Sequence, residues 1–213
     1  MTGKEILYIG DPMCSWCWGF APVIASIYDE FSKKIPISLT LGGLHAYDNF
    51  PMSEDYKSNI KHHWEDVNKM TGANFDYRFF DRKEFILDTE PACRAVVTVK
   101  HLRKGKEISF YEKISRSFYL ENRDTTNINT FESICIEEGL NFTEFSMIFH
   151  SDEIKKKTAE DFAYTKAIGV NGFPTLIAKD NEKLALISSG YQPYSILQPI
   201  IKNWINHNSK IRF

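Results

Sequence analysis

Two of the four cysteines in this 213-residue chain stand two residues apart, in Asp11-Pro12-Met13-Cys14-Ser15-Trp16-Cys17-Trp18-Gly19-Phe20-Ala21-Pro22. Thiols at that spacing can exchange disulfides or ligate a metal. The flanking residues bear on the choice. Ile6-Leu7-Tyr8-Ile9 reads as a strand and an amphipathic segment from about Trp18 to Phe31 as a helix, so Cys14 falls where the helix begins. The first N–H groups of a helix lack partners within it and carry partial positive charge, which predicts a stabilised thiolate and a lowered pKa at Cys14. Cys17, one turn later, is placed to pair with Cys14 or to resolve a mixed disulfide on it. The expected catalytic residues are therefore Cys14 and Cys17: the first attacks a disulfide, the second releases the product by attacking the Cys14 sulfur.

Other side chains carry weaker signals. Structural zinc needs four ligands, usually from paired clusters, and only one cysteine pair is present. His45, His62, His63, His101, His150 and His207 show no spacing matched to Cys93 or Cys135, so no metal is expected. Cys135, between Ile134 and Ile136, reads as core. Cys93 is expected to pack within an apolar helix, with a position lining the cleft as the alternative, and Glu90 beside it has no assigned role. His62-His63 reads as a solvated pair. Trp16 and Trp18 flank the thiols, and the sequence does not choose which of them meets substrate and which packs. Asp11 reads as a turn or cap residue, and the strand before the motif holds no acidic group to accept a proton.

Composition bounds the class. Apolar residues make up 43% of the chain and the net charge is −2, which fits a globular protein and argues against nucleic-acid or membrane surfaces built on bulk charge. Lys155-Lys156-Lys157 is the one short basic run and reads as a solvated helix face. Met1-Thr2-Gly3-Lys4-Glu5 is followed by only four apolar residues, too few for a signal peptide, and no stretch approaches bilayer length. A cytoplasmic location is expected, where thiols stay reduced and four cysteines are not a disulfide framework.

The elements that must position the thiols follow in order. A strand over Ile6–Gly10 leads to the Cys14 helix, in which Pro22 is expected to introduce a kink. Ile37–Leu41 alternates like a second strand ended by Gly42-Gly43, completing β-α-β. From Leu44 to about Ser151 the pattern is helical: a stripe of Tyr56, Ile60, Trp64 and Val67 up to Gly72; a start at Thr89-Glu90-Pro91; a helix with Ile108, Tyr111, Ile114 and Phe118; and another with Phe131, Ile134 and Cys135 before Gly139. Phe75–Phe80 is aromatic and irregular, with no assigned state. Ser151 caps a helix running to Gly169, a strand from Thr175 pairs with Lys183–Ser188 across Asp180-Asn181, and Pro193 opens a last helix with Tyr194, Leu197, Ile200, Ile201, Trp204 and Ile205 turned inward.

That order, with C-x-x-C at the first helix and Gly172-Phe173-Pro174-Thr175 before the hairpin, resembles the thioredoxin fold with a helical insertion, the arrangement of the DsbA family. More narrowly, the Asp11–Phe20 segment, Gly42-Gly43-Leu44, Thr89-Glu90-Pro91-Ala92-Cys93-Arg94-Ala95-Val96 and Gly172–Thr175 are similar to FrnE-type proteins and predicted cytoplasmic protein disulfide isomerases. The resemblance implies an α/β chain with a discontinuous thioredoxin-like domain, 1–43 and 151–213, around a helical insertion, 44–150. It also implies a cis Pro174 across from the thiols and a Phe173 backbone that pairs with bound substrate, so Ser15, Trp16, Phe173 and Pro174 are the expected substrate contacts. Protein or small-molecule thiols and disulfides are the implied partners, with no bound cofactor and glutathione as a candidate redox partner. Nucleic acid and membrane are not expected partners. Many members carry proline or histidine between the cysteines where this chain has Ser15-Trp16, so a redox potential does not carry over. Glutathione transferases of the kappa type and 2-hydroxychromene-2-carboxylate isomerases resemble the same architecture but use a serine near the position of Cys14; the second cysteine here counts against them. A binding module or holdase built on the helical block is the third reading.

Overall fold

β1 (Lys4–Gly10) organises the sheet. Ile6 and Tyr8 are buried on one face, Leu7 and Ile9 on the other, which is why the strand reads as an unbroken apolar run. The computed structural model describes residues 3–206; Met1, Thr2 and His207, which enter the readings above, lie outside the described residues. The strands run in the order β2-β1-β3-β4. β2 (Ile37–Leu41) is parallel to β1, with Ile6 opposite Ile37 and Gly10 opposite Leu41. β3 (Thr175–Asp180) is antiparallel to β1 on its other side. β4 (Lys183–Ser189) closes a hairpin on β3, turning through Asn181 at a positive φ of 54°, a conformation asparagine tolerates. A parallel β1–β2 pair needs a crossover, and α1 (Ser15–Phe31) supplies it, running on through Pro22. Its start lies three residues before Trp18.

Every described element between Glu54 and Phe149 is helical. α2 (Glu54–Thr71) is capped by Ser53, whose Oγ accepts the Tyr56 N–H, and ends at Gly72 with φ 76°. α3 (Glu90–Leu102) has Pro91 in its first turn, and α4 (Glu107–Tyr119) and α5 (Phe131–Glu138) follow. α6 (Phe142–Phe149) has no counterpart among the expected helices, although Asn141 caps it through the Glu144 N–H. α7 (Asp152–Ala167) is capped by Ser151 as expected. In α8 (Tyr194–Asn206) the inward stripe is Leu197, Ile201 and Trp204. Ile200 is 39% exposed, contrary to expectation, because it lies beside that stripe rather than on it.

The irregular aromatic stretch also has a state. Tyr77–Asp81 forms a short 3-10 helix capped by the Asp76 carboxylate, and its neighbourhood wraps Trp64: Phe75, Phe79, Phe80 and Tyr119 have ring centroids within 4.8–5.1 Å of it. One buried cluster joins the sheet and α1 (Ile6, Tyr8, Phe20) to the helical block (Trp64, Phe110, Phe131, Phe145). A smaller one, Leu7, Ile9 and Ile177, covers the other face of the sheet. Among the described residues no helix is long and apolar enough to cross a membrane.

Candidate active site

Cys14 occupies the N-cap position of α1 with extended φ and ψ of −93° and 119°, so its side chain lies at the open end of the helix. The turn that puts it there is tied by Asp11. Its carbonyl accepts the Cys14 N–H (3.0 Å), Oδ1 accepts the Met13 N–H (2.8 Å), and Oδ2 accepts both the Leu44 N–H (2.7 Å) and the Cys93 S–H (3.4 Å). Asp11 is a turn residue as expected, yet it is also fully buried and clamps together the end of β1, the loop after β2 and α3. Burial pushes its carboxyl up, against the N–H groups of Met13 and Leu44. Ser115 on α4 adds a hydrogen bond to the Pro12 carbonyl at 2.8 Å.

Opposite Cys14, the Phe173–Pro174 peptide is cis and the Phe173 carbonyl accepts the Cys14 S–H at 3.6 Å. The Phe173 ring fills the space a side chain on residue 42 would need: a Cβ at Gly42 would lie 1.9 Å from it. A cavity of about 400 Å³ opens here, lined by Cys14, Ser15, Trp16 and Phe173 on the side of the thioredoxin-like elements and by Tyr56, Asn59, Ile60, His63 and Trp64 of α2. Ser15, Trp16, Phe173 and Cys14 are thus brought to one cavity, while Pro174 is buried and does not line it. Trp16 is the tryptophan at the cavity; Trp18 donates its Nε1–H to the Asn74 carbonyl and stacks on Tyr119.

The thiols are free, 5% exposed at Cys14 and 0% at Cys17. Cys14 is held well above the ordinary thiol value, first by its hydrogen bond with the Cys17 thiol and then by burial. This reverses the lowered value expected from the helix start. The backbone N–H of Cys17 does act on Cys14 in the lowering direction, but it does not outweigh the neighbouring thiol and the loss of water. Cys93 and Cys135 are both buried, the second pushed up to about 12 by burial, as a packing residue should be. Glu90 pairs with Arg94 at 3.1 Å.

His63, read as half of a solvated pair, is exposed but faces the cavity. His45 was given no role by its spacing, yet it lines the cavity too, with Nε2 2.9 Å from the Tyr56 hydroxyl and Nδ1 3.4 Å from Asp48. One signal could have located it: His45 follows the C-terminal end of β2, and parallel neighbouring strands end together, beside Cys14. Among the described residues no group of three or more His, Cys, Asp or Glu could hold a metal ion.

Comparison with known proteins adds to this geometry. A family model described as thioredoxin matches residues 7–199. A solved structure of a candidate protein disulfide isomerase from Nitrosomonas europaea is 34% identical, with a TM-score of 0.89 over 97% of this chain and 99% of that one. The cytosolic disulfide reductase DsbM from Pseudomonas aeruginosa, also solved with GSH, is 20% identical with a TM-score of 0.76 over 95% of this chain and 100% of that one. Among curated proteins, the ClpXP adapter protein SpxH of Halalkalibacterium halodurans is 22% identical over 94% of this chain and 67% of its own length.

Proposed function

Because the chain belongs to the thioredoxin family, with the DsbA-like placement of a helical block within the fold, we propose that it is a thiol–disulfide oxidoreductase working through Cys14 and Cys17. The observation that carries this is the position of Cys14: at the start of α1, one turn before the buried Cys17, with its S–H on the Phe173 carbonyl and its side chain lining the cavity. The Cys14 thiolate attacks a substrate disulfide and forms a mixed disulfide. Cys17 then attacks the Cys14 sulfur and the reduced substrate leaves. On this reading residues 1–43 and 151–213 form the exchange domain, 44–150 roofs the cavity, and Ser15, Trp16, Phe173 and Pro174 hold the substrate. Electrons pass through the dithiol itself, with no bound cofactor, and glutathione is a fitting redox partner.

The direction follows from the thiols. A strongly lowered Cys14 pKa would stabilise the reduced form and make an oxidant; Cys14 is shifted the other way. We therefore assign reduction or isomerisation of disulfides, in the cytoplasm. The midpoint of the dithiol against the glutathione pool decides between reductase-like and oxidant-like behaviour. Equilibrating the protein across glutathione redox buffers, trapping thiols by alkylation and mapping each cysteine by mass spectrometry tests this. One two-electron transition joining Cys14 to Cys17 is the expected outcome. Cysteines that stay unpaired would overturn it.

The adapter named among the relatives favours a second reading, a binding module that needs no thiol chemistry. Binding activity that persists when Cys14 and Cys17 are both replaced by serine would select it. A glutathione transferase or isomerase fits the cavity but not Cys17, because a resolving thiol would eject bound glutathione.

A further inference from the structure

The walls of the cavity over Cys14 are polar in places but not ionic. Among the described residues, its lining includes no lysine, arginine, aspartate or glutamate. Its polar side chains are those of Ser15, His45, Tyr56, Asn59 and His63, set among apolar ones. Tyr56, Asn59 and His63 fall at i, i+3 and i+7 of α2, on one stripe of that helix, and the stripe meets the same cavity as Cys14.

Tyr56 is held in place from the loop after β2. The His45 backbone is tied to Thr89, just before α3: its N–H donates to Thr89 Oγ1 at 3.1 Å and its carbonyl accepts the Thr89 N–H at 3.4 Å. The imidazole has Nδ1 3.4 Å from the Asp48 carboxylate and Nε2 2.9 Å from the Tyr56 hydroxyl. In the neutral ring, a hydrogen on Nδ1 turned toward Asp48 leaves Nε2 as the acceptor, so Tyr56 donates its O–H to His45. The hydroxyl oxygen then keeps its lone pairs for an N–H brought by substrate. One turn along α2, the Asn59 amide offers an acceptor and two donors, the complement of a peptide group.

A disulfide entering this cavity brings the groups bonded close to its sulfur. In free cystine these are an ammonium and a carboxylate on one carbon; within a peptide they are two neutral amides. Taking a charge from water without a charged partner costs far more than burying an amide that finds a hydrogen bond. We propose that the cavity selects disulfides flanked by peptide groups, with Tyr56 and Asn59 hydrogen-bonding those amides and His45 positioning the Tyr56 hydroxyl. This rests on the exchange reading and gives it a substrate class. Oxidised glutathione and a cystine within a polypeptide share that chemistry. In the step, the Cys14 thiolate bonds to one substrate sulfur and the substrate S–S bond breaks. The electron pair leaves on the other sulfur, which takes up a proton equivalent to the one Cys14 released.

The test mixes the reduced full chain, at one pH, with oxidised glutathione, with a pair of capped pentapeptides joined by a central cystine, or with L-cystine. Acid quenching and mass spectrometry give the rate at which Cys14 is consumed. Each rate is divided by that of mercaptoethanol with the same disulfide, which removes intrinsic reactivity. The faster of the two amide-flanked disulfides should lead cystine by about tenfold or more, and which one it is identifies the source. A lead under about threefold overturns the substrate class. Tyr56→Phe and Asn59→Ala should each cut the lead by about threefold or more. His45→Ala should cut it as much as Tyr56→Phe, and the double variant no further, because both act through one hydroxyl; additive losses would reject the positioning role. A full lead in folded Tyr56→Phe and Asn59→Ala proteins overturns the residue assignment, and Asn59, being exposed, decides should the other variant not fold. Failure of the exchange reading looks different: the wild-type chain would carry neither adduct nor disulfide on Cys14 with any of the three.

Discussion

At the scale of single residues, Asp11 has the largest part for its size. Its carboxylate accepts two backbone N–H groups and a thiol, and its charge raises the Cys14 thiol. Asp11→Asn puts an amide where two donors converge. One N–H must then lose its acceptor, at a cost of about 1–3 kcal/mol, or a fall in melting temperature of about 2–4 °C per kcal/mol. The same change removes the negative charge, so Cys14 should titrate at lower pH and alkylate faster near neutrality. A pH series of alkylation rates checks this, and an unchanged titration would mean that the carboxyl acts as a clamp alone. Little of this was legible beforehand. The spacing of Cys14 and Cys17 singled out the proposed pair, but the sign of the Cys14 shift depends on burial and on the second thiol, which a motif does not contain. Tyr8 was legible only as part of an apolar strand, because one hydroxyl in such a run gives no hint that it meets the Tyr111 hydroxyl.

Elements show the opposite balance. Ile37–Leu41, the cap at Ser151 and the stop at Gly72 were each legible because local chemistry decides them: alternation, a side-chain acceptor, a positive φ. α6 was missed although Asn141 caps it, since its eight residues make only two turns and Phe142, Met147 and Ile148 place apolar side chains off the buried Phe145 and Phe149 face. The contact between α4 and α5 makes a prediction at this scale. Glu138 on α5 is reached by Ser109 (2.5 Å) and Lys113 (3.0 Å) of α4 and by Lys106 (3.0 Å) just before it. Burial opposes its ionisation, yet these partners together lower its pKa to about 2. The folded carboxyl thus ionises at lower pH than the unfolded one, near 4.3. Its contribution, at most about 3 kcal/mol, is complete above about pH 5 and drains away as pH falls through 2. Acid unfolding followed by circular dichroism should show Glu138→Gln less stable than wild type at pH 7 by up to that amount. The two curves should converge below pH 2.

Across the whole molecule, one buried cluster spans the sheet, α1 and the helical block. Unfolding should therefore be a single transition, with tryptophan fluorescence, to which Trp64 of the block and Trp16, Trp18 and Trp204 of α1 and α8 all contribute, coinciding with far-UV circular dichroism; two separated transitions would show that the block has a stability of its own. The outline of the architecture was legible because β-α-β, a helical run and α-β-β-α follow one another along the chain. Which residues roof the cavity was not, since Tyr56, Asn59 and His63 are set by how α2 lies over Cys14. The sheet order also has a consequence in time. β1 sits between β2 and β3, and β3 begins only at Thr175, just after the Phe173 ring that occupies the space over Gly42. During synthesis the ribosome therefore delivers Cys14 and Cys17 long before the loop that faces them. Until the last strands emerge, β1 carries an open edge and the growing chain holds Cys14 without its shelter, so the interval is one in which stray disulfides and strand-to-strand aggregation compete with folding.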